Sequence, residues 1–128
     1  IKKGKKVAIL AFGSMLKPAL EAASILGCSV ANMRFVKPLD IDLIQQLAKS
    51  HDLIVTIEEN ALMGGAGAAV LEAMQTLNLT NPTLCLGLPD TFIEHGVHET
   101  MLAECGLDSV GIMNAIKEKL KSAWNNTF

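Results

Sequence analysis

Residues 51–70 read HDLIVTIEENALMGGAGAAV, and this stretch decides the fold. His51-Asp52 is a polar turn. LIVTI at 53–57 is a strand-type apolar run, closed by Glu58 and Glu59. A loop carrying Gly64, Gly65 and Gly67 follows, and GAAVLEAMQTL at 67–77 has the composition of a helix. Strand, glycine loop and helix in that order form half of a βαβ unit.

Working outward, the same alternation recurs. Residues 6–12 (KVAILAF) are a continuous apolar run, as expected of a strand covered on both faces. Gly13-Ser14 ends it, with Ser14 placed to cap a first helix over 15–26 and Pro18 tolerated in its first turn. Lys17, Glu21 and Ser24 give that helix one narrow polar stripe, and Gly27 stops it. Residues 28–35 (CSVANMRF) read as a second strand; Pro38 blocks its continuation and Asp40 caps a second helix over 41–49. Asn81-Pro82 turns the chain into a fourth strand at 83–88 (TLCLGL). A loop at 89–96 precedes a short helix near 97–104. The last helix starts at Asp108 or Ser109 and carries Ile112, Ile116 and Leu120 on one stripe, with Ala123 or Trp124 continuing it. The fold expected is α/β: a three-layer α/β/α sandwich around a mainly parallel sheet of four strands, or of five if a further strand precedes residue 1.

The chain has 128 residues, one domain's worth, and half of them are hydrophobic. The mean hydropathy is +0.35. No apolar run approaches the roughly 18 residues needed to span a membrane. The apolar excess therefore predicts a hidden interface. Between 66 and 77 the only polar side chains are Glu72, Gln75 and Thr76, so the third helix is expected to be buried on more than one side, with a partner on its outer face. Residue 1 is Ile and no signal-peptide pattern follows, which suggests a piece of a longer chain with 1–5 as a linker remnant.

Charge and cysteine narrow the function. Lysines crowd both ends, whereas residues 50–108 hold nine acids and no Lys or Arg. Tyr is absent and aromatics are 4%, so nucleic-acid recognition is not expected. Cys28, Cys85 and Cys105 share no short spacing, which excludes a disulfide framework and a zinc site and suits a reducing cytoplasm. Cys28 and Cys85 fall in apolar runs as small hydrophobes.

Four constellations invite chemistry. Glu58 and Glu59 are adjacent on a strand and point to opposite faces, so one is expected to be exposed and the other to cap a loop or meet a partner. The glycine loop stands where a helix N-terminus binds phosphate, but it matches neither GxGxxG nor a Walker motif and no cation is near. Its glycines are expected to make a tight turn and admit a close backbone. His95 and His98 are separated by a loop-to-helix junction at Gly96, so no metal site is expected. Arg34 and Lys37, near Asp40, form either an ion pair within their loop or a polar contact with another domain.

The segments VAILAFGSML, MRFVKPLD, EENALMGGAG and LPDTFIEHG, with GLDSVGI closing the pattern, together resemble the C-terminal domain of the 1-deoxy-D-xylulose-5-phosphate synthase family, over about residues 5–120. The middle segments are shared more loosely with transketolases and the β subunits of 2-oxoacid dehydrogenases. The resemblance implies a homodimeric, three-domain transferase dependent on thiamine diphosphate and Mg2+. That enzyme condenses pyruvate with glyceraldehyde 3-phosphate, releasing carbon dioxide, at the entry to the non-mevalonate isoprenoid pathway. It implies a mixed five-stranded sheet for this domain, with its first strand antiparallel. It places the cofactor, metal and catalytic residues in the other domains and none here. Arg34, Lys37, Asp40, Glu58, Glu59, Asn60, Gly64, Gly65 and Gly67 become expected contacts with those domains or the second subunit. The alternatives are the equivalent domain of a transketolase or dehydrogenase β subunit, and a stand-alone flavodoxin-like module binding an anion at residues 64–67.

Overall fold

The computed structural model describes residues 6–33, 40–58, 65–87 and 107–123. Four parallel strands, β1 (Val7–Phe12), β2 (Ser29–Met33), β3 (Leu53–Glu58) and β4 (Thr83–Gly87), form one sheet in the order β2-β1-β3-β4. Helices α1 (Leu16–Leu26), α2 (Ile41–Ser50), α3 (Ala66–Thr76) and α4 (Ser109–Ala123) cover it on both faces. The expected three-layer fold is thus the observed one, and every described pairing is parallel.

Strand order explains burial. β1 and β3 are central and buried at every position, which is why their sequences lack alternation. β2 and β4 flank them and are only partly covered. Cys85, expected inside an apolar strand, is accordingly exposed on β4. Along β1 and β3 alternate side chains serve two cores. Ile9, Val55 and Ile57 pack with α1 and with Ile112 and Ile116 of α4. Leu10 and Ile54 pack with Ile44 of α2 and with Val70 and Met74 of α3.

The element ends follow local chemistry. Gly27 takes a left-handed φ of 78° and its N–H bonds the Ala23 carbonyl, ending α1 as expected. Asp40 caps α2, its Oδ1 accepting from the Leu43 N–H at 3.1 Å. Asp108 does the same for α4, accepting from Gly111 N–H at 2.9 Å. The start of α1 differs from expectation. Gly13–Met15 form a 3-10 turn, and Met15 takes the N-cap position with no side-chain cap. The 3-10 turn follows β1 directly and so moves the N-cap position one residue on from Ser14.

Candidate functional site

In parallel sheets, ligand and partner sites gather beyond the carboxyl ends of the strands, where neighbouring connections leave to opposite faces. Here that place lies between β1 and β3, since α1 packs on one face and α3 on the other. Glu58 ends β3 at this edge. Its side chain is 6% exposed. Its Oε1 accepts from the Ala66 N–H at 2.7 Å and its Oε2 from the Gly67 N–H at 2.6 Å. The carboxylate therefore takes two of the amides that a helix leaves without intrahelical partners, and sits at the positive end of the helix dipole.

Gly67 makes this possible. A Cβ there would stand 3.0 Å from Glu58 Oε2 and 3.1 Å from both Cys85 Sγ and Thr56 Oγ1. The close approach expected of the glycine loop is real, but what approaches is a set of side chains from β3 and β4 rather than another backbone. Thr56 lies two residues before Glu58 on the same face, fully buried, and its hydroxyl finds no partner among the described residues. Gly65 holds the N-cap position of α3 without a side-chain cap, because Glu58 supplies one from across the sheet.

Of the two glutamates, Glu58 is thus the one that caps a loop-to-helix junction. The same geometry counts against the anion-binding alternative: the α3 amides at Ala66 and Gly67 are already held by the chain's own carboxylate. Arg34, Lys37, Glu59, Asn60 and Gly64, together with His95, His98 and the short helix near 97–104, lie outside the described residues. Asp40 is exposed and caps α2 through its Oδ1. The outer face of α3, where a partner is expected, is open in this chain. Ala68, Leu71, Glu72, Gln75 and Thr76 are its exposed positions, with Leu71 the one large apolar side chain among them. The helix owes its apolar composition to alanine and glycine, small residues that let it lie close to the sheet.

Cys28, between α1 and β2, is half-buried against the α1 core, and burial pushes its thiol up from 9.0 to about 11. It is a packing residue rather than a nucleophile.

These features form a parallel α/β domain in which the N-terminal end of α3 is filled by the chain's own Glu58 carboxylate. The transketolase C-terminal domain family matches residues 1–112. The chain belongs to that family. This transketolase C-terminal domain is 71% identical over 119 residues to 1-deoxy-D-xylulose-5-phosphate synthase of Methylobacillus flagellatus, covering 93% of this chain and 19% of that protein. It is 60% identical over 117 residues to the synthase of Leptothrix cholodnii, covering 91% of this chain and 18% of that one. Among solved structures it is similar to a split-gene transketolase described as an inactive beta4 tetramer. The TM-score is 0.77 at 33% identity, over 94% of this chain and 40% of that one. The chain spans about a fifth of the length of the synthases it matches.

The described start of α3 does not fit a thiamine diphosphate site. A diphosphate needs free donors and a cation, and the α3 amides are occupied while residues 50–108 contain no Lys or Arg. No helix among the described residues is long and apolar enough to cross a membrane.

Proposed function

We propose that the chain is the C-terminal domain of a cytoplasmic, homodimeric 1-deoxy-D-xylulose-5-phosphate synthase. The whole enzyme joins pyruvate and glyceraldehyde 3-phosphate with loss of carbon dioxide, and thiamine diphosphate with Mg2+ supplies the carbanion chemistry from the other domains. This domain supports assembly. The observation that carries the reading is the 71% identity that extends over 93% of this chain yet only 19% of the relative. The 33% identity to a transketolase supports the equivalent domain of that enzyme less well. The self-filled end of α3 counts against a stand-alone anion-binding module.

In this reading the contacts lie along the 34–40 and 58–67 segments: Arg34, Lys37, Asp40, Glu59, Asn60, Gly64 and Gly65 meet the neighbouring domain or subunit. Glu58 and Gly67 act through α3, whose start they pin. The test has two arms. With thiamine diphosphate, Mg2+ and both substrates, the intact protein should release carbon dioxide and form the five-carbon phosphate. The chain alone should do neither, and calorimetry should find no cofactor binding. Turnover by the chain alone would sink the division of labour; an inactive intact protein would sink the synthase assignment.

A further inference from the structure

The edge of the sheet opposite Glu58 carries a second constellation. His51 sits between α2 and β3, and Ser29 opens β2. Their side chains meet, with His51 Nε2 2.8 Å from Ser29 Oγ. The other ring nitrogen, Nδ1, lies 3.0 Å from the Leu47 carbonyl oxygen and 2.9 Å from Ser50 Oγ. A carbonyl oxygen only accepts, so Nδ1 carries a proton. Ser50 agrees, because its own hydroxyl donates to the Gln46 carbonyl at 3.0 Å. In the neutral ring Nε2 is then the acceptor, and the Ser29 hydroxyl must donate to it. The result is a nucleophile, a base and a group that orients the base, in hydrogen-bonded order.

The setting is open. A cavity of about 270 Å3 lies here, lined by Lys6, Val7, Gly27, Ser29, Ser50 and His51. Gly27 adds no side chain, and a Cβ there would meet nothing within 4 Å. Lys6 belongs to the same lining. Its backbone is fixed by Asp52, whose Oδ2 accepts from the Lys6 N–H at 2.8 Å.

We propose that Ser29 is an acyl-accepting serine, activated by His51, that takes the acyl group of a small activated ester entering this cavity. The Ser29 Oγ–H proton passes to His51 Nε2 as Oγ bonds the acyl carbon. The bond from that carbon to the leaving oxygen breaks, and His51 returns the proton to the leaving group. Lys6, the one Lys or Arg of this lining, would offset the negative charge that collects on the acyl oxygen. The site is independent of the cofactor chemistry proposed above and lies at the other end of the strands.

The test uses 4-nitrophenyl acetate near neutral pH, with peptide mapping by mass spectrometry and hydroxylamine treatment to separate esters from amides. Ser24 is the internal reference: exposed, with its hydroxyl donating to the Glu21 carbonyl at 3.0 Å and to no ring nitrogen among the described residues. A hydroxylamine-labile acetyl should appear on Ser29 about a hundredfold faster than on Ser24, the usual gain from a positioned base. His51→Ala should remove that advantage, and Ser29→Ala should remove the label while the circular dichroism spectrum is unchanged. Equal labelling of Ser29 and Ser24, labelling of lysines only, or a Ser29 rate indifferent to His51 would each overturn the proposal. The comparison within the unaltered protein stands even where His51→Ala fails to fold.

Discussion

Glu58 does for α3 what a side-chain N-cap does for most helices, but from the end of a strand eight residues upstream. Both carboxylate oxygens are used, so the amide isostere is a poor substitute. Glu58→Gln keeps one acceptor and turns an NH2 toward a backbone N–H; it should cost about 2 kcal/mol in urea unfolding. Gly67→Ala gains up to about 1 kcal/mol in helix propensity. It also sets a methyl against Glu58 Oε2 at 3.0 Å, an atom that cannot retreat without losing its hydrogen bond. Overpacking of this kind costs about 1–3 kcal/mol, so the variant should be less stable than the parent. The two changes share one space. In the double-mutant cycle Gly67→Ala should cost about 1 kcal/mol less beside Glu58→Ala than alone. Strict additivity would mean that the glycine serves the helix and not the carboxylate. Cys28 gives a second residue-scale test. With the thiol raised from 9.0 to about 11 by loss of water, the proton is held more tightly and the reactive thiolate is scarcer. Two pKa units mean that alkylation by iodoacetamide at pH 8 should be about a hundredfold slower than for an unburied cysteine. The rate should climb about tenfold per pH unit until it levels near pH 11. A plateau near pH 9 would show the thiol to be solvated.

At the scale of elements, period and punctuation were enough where the cause is local. The buried runs of β1 and β3, the Gly27 stop and the Asp40 cap all act within a few residues of the signal that announces them. What escaped reading acts across the sheet. Asn81, read as a turn residue, donates from Nδ2 to the carbonyls of Ala48 at 2.9 Å and His51 at 2.8 Å. It thereby closes the C-terminal end of α2 from 30 and 33 positions away. His51, also read as a turn, meets Ser29 across 22 positions. Glu58 and Glu59 were legible as strand-end acids, one to be exposed and the other to cap a loop or meet a partner, but not which of them caps. The partner amides of Glu58 were not legible either, because the pairing depends on how closely α3 settles on β3, and that is set by Gly67. Strand order was the other hidden variable: TLCLGL is as apolar as a central strand, yet β4 lies beside β3 alone among the described strands and leaves Cys85 exposed. Apolar composition likewise overstated the outer face of α3, since alanine counts as hydrophobic in a sum but adds little to a patch.

On the whole molecule, the exposed large apolar side chains divide between the two helical layers. Leu20, Ile25 and Val110 belong to the α1/α4 layer, and Ile41 and Leu71 to the α2/α3 layer. Scattered single residues are ordinary on a surface and identify no partner by themselves. Position separates them. On α3, Ala68, Leu71, Glu72 and Gln75 fall at i, i+3, i+4 and i+7 and share the outward face, directly after the Glu58–Gly67 lock. An assembly surface built on the 58–67 segment would run next onto Leu71, which is 47% exposed. Burying a leucine is worth about 1.5–3 kcal/mol, or roughly ten- to a hundredfold in a dissociation constant. Leu71→Asp in the intact protein should therefore raise the subunit dissociation constant by about that factor in analytical ultracentrifugation. A surface substitution of this kind should change domain stability by only about 0.5 kcal/mol. Ile25, 66% exposed on the opposite layer, is the comparison. If Ile25→Asp loosens the assembly and Leu71→Asp does not, the domain presents its α1 face to its neighbours, and the proposed contacts along 58–67 must be abandoned.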